Sequence, residues 1–280
     1  MAKEDIPNAV NLLQDFSKFP SLADRLQQGI VNTLYLGRLL AHPQGLAADP
    51  NFAGMLDTSH LYFDSNSQGA ILGGVTTAVA PDWTRAVLGV ATMDYGVLLP
   101  RSTDFDTYEA IFGPSYPDRG QQIAILALVQ MLWDRGETDG WTQHMTTNPP
   151  RNTPPHAVLL HVAVGDHQVA NVMSDVEARS IDASTAELPA RSNDKTPLFA
   201  IPRITRYPFD GSAAIVYWDD GNQTPLPPVT NTPNRAGADP HSFPRKTPAA
   251  REQKSDWLSP NGFLSDVCNG LPCRTFNFSG

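Results

Sequence analysis

The chain has 280 residues, 41% of them hydrophobic and 18% charged, a balance that supports a globular core. Its net charge of −9, with no basic stripe, argues against nucleic acid or an anionic membrane surface as partner. No apolar run reaches the ~18 residues of a membrane span, and twenty-five prolines are too many for a helical bundle.

Residues 1–8 carry no hydrophobic stretch of a signal peptide, so the start reads as intracellular, processed or truncated. Residues 20–41 predict an amphipathic helix, opened by Pro20 and Ser21, with Leu22, Leu26, Ile30, Leu34 and Leu40 at helical spacing. A Gly/Asp/Pro-rich loop follows to residue 59. A strand is expected at 60–64 and a Gly/Ala-rich helix at 68–80. The second strand, 85–92, contains the continuous apolar run 86–90, which suits a strand buried on both faces of a parallel sheet.

Helices are expected at 104–112 and 119–134, within a cap-like insertion at 100–150. A third strand at 157–163 leads into Gly165-Asp166-His167 and a helix at 168–180. After an irregular stretch, 181–211, comes a fourth strand at 213–218. The long loop 219–250 then holds seven prolines from Pro225 to Pro248, and a helix-like segment occupies 246–256. Strands alternating with helices imply right-handed crossovers and a parallel sheet, hence an α/β class within a single domain, 1–280. Cys268 and Cys273 leave two readings open: separate thiols, or a small disulfide loop that points to an oxidising compartment.

The densest signal is Asp64-Ser65-Asn66-Ser67-Gln68-Gly69. A strand stops at a small polar turn and a helix starts at once, the setting of a nucleophile elbow with Ser67 at its apex. Such elbows read G-x-S-x-G because strand and helix approach too closely for side chains; Ser65 stands in place of the first glycine. A serine hydroxyl needs a base to take its proton and an acid to orient that base. After the third strand the first acid is Asp166, which also reads as a helix N-cap. Asp175 and Glu177, inside the following helix, are poorer candidates. Of seven histidines only His167 and His241 lie beyond Asp166. His167 is adjacent to the acid and constrained, which leaves His241, just past the last strand.

At these residues the chain resembles the C-terminal part of large bacterial α/β-hydrolase-fold proteins with a G-N-S-Q-G elbow. The resemblance covers about residues 14–275 and rests also on Arg85-Ala86-Val87-Leu88-Gly89-Val90, Leu132-Trp133-Asp134-Arg135-Gly136, His161 to Val169 and Asp239-Pro240-His241. It implies a triad of Ser67, Asp166 and His241 and hydrolysis of an ester or related acyl bond. Ser242 and Phe243 depart from it, standing where acidic residues are common.

Gln68 N–H is the expected oxyanion donor, with no second donor visible. Tyr95 and Trp218, just beyond strand ends, are expected to wall the site, and Phe105, Tyr108, Phe112, Tyr116, Met131 and Trp133 line a pocket or pack as core. The four strands that precede the elbow strand in the full fold do not fit into 1–58, so a reduced α/β-hydrolase sheet of about four strands is expected. Its elbow strand would then be an open edge, covered by a second copy or another partner. No dinucleotide fingerprint, P-loop or His/Cys cluster calls for a cofactor or metal. Two functions follow: a serine carboxylesterase, or a non-catalytic remnant that acts as an assembly module.

Overall fold

Three continuous apolar segments build the centre of the molecule. In β2 (Arg85–Gly89), β3 (Ala157–Ala163) and β5 (Ala213–Asp219) nearly every residue is buried, which requires cover on both faces. The computed structural model describes residues 3–186, 200–221, 226 and 229–274; parts of the loops expected at 181–211 and 219–250 lie outside these. All strand pairings in its sheet are parallel, in the order β1 (Phe63–Asn66), β2, β3, β5, β4 (Ser184–Thr185), with β6 (Cys273–Arg274) also on β5. The class is α/β.

The sheet has six strands rather than about four. The additional two are two-residue pieces, too short to show any apolar period. They take successive stretches of the side of β5 that β3 leaves open, at Ala214–Ile215 and Trp218–Asp219. Strand β1 pairs only with β2 among the described residues, so the elbow strand is an edge.

Alternation along the strands sorts the core into two faces. Leu88, Val158, Leu160, Ile215 and Tyr217 pack under α3 (Gln68–Ala78), α7 (Thr142–Met145) and α8 (Asn171–Ser180). Val87, Leu159, Val216 and Trp218 pack on the other face against α10 (Pro248–Trp257), just after the short α9 (Phe243–Lys246). Trp218 therefore does not wall a site: its indole is fully buried in this second face, 5.4 Å from the His161 ring. Position 218 shares the parity of 214 and 216, which decides its side.

A third cluster joins α1 (Ile6–Gln14), α2 (Pro20–Ala41), α4 (Tyr95–Leu98), α5 (Asp106–Ser115) and α6 (Arg119–Trp133) through Phe16, Phe19, Phe112 and Trp133. Phe19 meets Trp133 edge-on with ring centres 4.6 Å apart, a favoured aromatic geometry. Helix α1 was not anticipated. Cys268 and Cys273 form a disulfide, with Cα atoms 5.3 Å apart. Among the described residues no helix is long and apolar enough to cross a membrane.

Candidate active site

The turn from β1 into α3 is tight enough to force Ser67 to φ 60°, ψ −135°, a region that L-residues rarely adopt. The backbone locks it there. Ser67 N–H donates to Gly89 O at 2.8 Å, and Ser67 O accepts from Ala70 and Ile71 N–H at 2.7 and 3.0 Å. A Cβ on Gly89 would lie 2.2 Å from Asn66 Oδ1, so any side chain there would have to displace Asn66. Ser65 is tolerated in the glycine position because α3 leaves it room: a Cβ on Gly73 would come within 2.8 Å of Ser65 Oγ.

Past the C-terminal ends of β3 and β5, two loops bring the acid and the base to this apex. His241 Nε2 lies 2.9 Å from Ser67 Oγ, and His241 Nδ1 lies 2.8 Å from Asp166 Oδ2. Residues 174 and 75 positions apart thus form one chain. Asp166 accepts only, so Nδ1 carries the proton and Nε2 accepts from the Ser67 hydroxyl; this tautomer is assigned from the network. Both His241 and Asp166 are buried.

Asp166 is not the N-cap of α8, a position taken by Ala170; it closes the loop before the helix. Its Oδ1 accepts the N–H groups of Gln168 and Val169 at 2.8 and 3.0 Å, while Oδ2 faces the imidazole. Asp239 was not singled out, although it stands two residues before the histidine. Its carboxylate accepts from His241 N–H at 3.0 Å, His167 N–H at 3.3 Å and Gln168 Nε2 at 2.7 Å, tying the two loops together. These bonds hold its carboxyl below the usual range against the opposing effect of burial. The other candidates face elsewhere: His167 Nε2 is 3.2 Å from Ala236 O, and Asp175 accepts from the Tyr217 hydroxyl at 2.7 Å.

Ser67 and Gln68 form part of the wall of an apolar cavity of about 230 Å³. Tyr95, Phe105, Tyr108 and Trp133 line it as expected, but Phe112 and Tyr116 pack behind it and Met131 is exposed. Much of the wall comes from α1 and α2 and the turn between them, through Leu13, Phe16, Phe19 and Leu26. The only hint of this in the sequence is that the apolar stripe of residues 20–41 needs something to cover. Asp104 also lines the cavity; partial burial raises its carboxyl pKa, against the pull of His241.

Gln68 N–H is the first donor of α3, at the positive end of the helix, where anions are favoured. Among the described residues, Asp134, Glu137 and Asp139 form one group of acids able to approach a common ion. Glu137 already accepts from Gln130, from Asp94 N–H at 3.0 Å and from Asp139 N–H at 2.9 Å, and burial pushes it up to about 7. No family model, curated protein or solved structure matches the chain.

Proposed function

We propose that this protein is a serine hydrolase that cleaves carboxylic esters through an acyl-enzyme. The single observation that carries the reading is the Ser67–His241–Asp166 hydrogen-bonded chain with its serine on a left-handed elbow. The resemblance to α/β-hydrolase-fold proteins supports it.

Ser67 Oγ attacks the acyl carbon as its proton passes to His241 Nε2. Asp166 keeps the imidazole in place and stabilises its positive charge. The tetrahedral intermediate collapses, His241 gives the proton to the leaving alcohol, and water repeats the sequence on the acyl-enzyme. The cavity beside Ser67 takes the acyl group. A dry cavity of about 150 Å³ holds benzene, so one of about 230 Å³ takes roughly nine carbon-sized atoms on the same scale. Acyl chains of about eight to ten carbons, or arylalkanoyl groups of that size, follow.

A series of p-nitrophenyl esters from acetyl to palmitoyl tests this. The expected kcat/KM peaks near octanoyl and is abolished in Ser67→Ala; turnover that survives in Ser67→Ala refutes the reading. A second reading, the assembly module, is favoured by the open edge of β1. A fluorophosphonate probe separates the two: labelling of wild type but not of Ser67→Ala supports the enzyme, and no labelling of folded protein supports the module. The same edge supports pairing with a second copy. Light scattering coupled to size exclusion is expected to give a dimer, and a monomer at all concentrations rejects that pairing.

A further inference from the structure

An acyl-transfer site needs two donors for its oxyanion, and losing one costs about 10²–10³ in rate. Gln68 N–H accounts for one. The second ordinarily comes from a loop after an early strand, yet β1 is the first strand of this sheet among the described residues. The loop that reaches the cavity from the neighbouring strand, β2, ends instead in Tyr95.

The Tyr95 hydroxyl is buried and has no hydrogen-bond partner of acceptable geometry among the described residues, and Tyr95 lines the same cavity as Ser67 and Gln68. Burying a donor unsatisfied costs about 1–3 kcal/mol, so an orphan hydroxyl at such a place calls for a ligand that completes it. The Gln68 side chain lies beside the phenol, which puts the hydroxyl within one side chain's length of the first donor.

The ring is fixed in advance. It packs on Trp133 with centres 5.1 Å apart. Its chain neighbours are bolted to α6 and the turn that follows: Asp94 N–H donates to Glu137 Oε1 at 3.0 Å and Gly96 N–H to Gln130 Oε1 at 2.9 Å, and Gln130 is itself bonded to Glu137. Burial, with the nearby Glu137 carboxylate, raises the phenol pKa, so the hydroxyl keeps its proton at any working pH.

We propose that the Tyr95 hydroxyl is the second oxyanion donor. As the Ser67 Oγ–carbon bond forms, the carbonyl π pair moves onto oxygen, and that oxyanion accepts from Gln68 N–H and Tyr95 O–H together. When the carbon–oxygen bond to the leaving alcohol breaks, the pair returns to the carbonyl and both bonds relax. Tyr95 donates a hydrogen bond throughout and transfers no proton. This role rests on the serine-hydrolase reading.

Tyr95→Phe tests it, because the ring and its packing stay while one oxygen goes. With p-nitrophenyl octanoate, kcat is expected to fall about 10²–10³-fold with KM within about twofold, the mark of a bond made only in the transition state. Affinity for an octyl trifluoromethyl ketone, whose adduct with serine carries the oxyanion, is expected to fall in parallel, while affinity for octanoate is unchanged. An active wild type with Tyr95→Phe at full kcat overturns the role of Tyr95 alone, as does a lower kcat with undiminished ketone affinity. A wild type without turnover dependent on Ser67 instead removes the serine-hydrolase reading, and this role with it.

Discussion

The backbone of Ser67 is open to a test that does not depend on any substrate. Ser67→Ala and Ser67→Gly both delete the hydroxyl, so both lose the same bond to His241, and their difference isolates the conformation at φ 60°, ψ −135°. A residue with a Cβ in such a region costs about 1–3 kcal/mol, a penalty that glycine escapes. Glycine in turn loses about 0.4–1 kcal/mol through the greater freedom of its unfolded chain. The balance favours Ser67→Gly by about 1 kcal/mol. For a chain of 280 residues the unfolding entropy is about 0.6 kcal/mol/K, so the gap is roughly 2 °C in Tm. Thermal unfolding followed by circular dichroism, with urea titration for the free energy, reads it. A relaxed turn predicts the opposite order, with Ser67→Gly less stable by about 0.4–1 kcal/mol. That result would refute the strained elbow.

Two further outcomes follow from the interior. Burial holds Glu177 up to about 8, well above its ordinary value near 4.5, with Glu137 adding to the effect. A carboxyl raised by folding binds its proton more tightly in the native state, so its contribution is fully present below about pH 4.5 and is lost as pH rises through about 8. Glu177→Gln is expected to match wild type in Tm at pH 4.5 and to exceed it at pH 8.5; a variant that melts lower at pH 8.5 shows that the charged form is wanted. At Gly74 a Cβ would sit 2.0 Å from Thr138 Oγ1, whereas at Gly29, exposed in α2, it would meet nothing within 4 Å. Gly74→Ala should therefore cost about 1–3 kcal/mol while Gly29→Ala gains about 0.5–1 kcal/mol, and urea unfolding that finds the same sign for both contradicts the packing described.

Local chemistry wrote several of these elements plainly. Strand β3 has the limits read from its apolar run, because seven consecutive residues able to lie in a buried sheet are closed off by Pro155 and Gly165. The elbow was legible because a strand that ends in small polar residues and turns at once into a Gly/Ala-rich helix has few other uses. Chain order then singled out Asp166 and His241, since few groups able to serve lie beyond the later strands. Strands β4 and β6 left no trace, because two residues carry no period and form only where β5 offers free backbone. The clamp by Asp239 was equally hidden, since a carboxylate that accepts three bonds looks in sequence like any loop acid.

The sequence by itself determined the alternation of strands and helices, the α/β class and the elbow with Ser67 at its apex, because these depend on residues that are neighbours along the chain. The tertiary structure decided which groups share a cavity. It set α1 and α2 against the elbow, turned Trp218 into the opposite face of the sheet, and buried the Tyr95 hydroxyl beside the Gln68 side chain. The physical reason is that a side chain's surroundings are fixed by which element packs across from it. That contact is made by residues tens of positions away, and no local pattern encodes it.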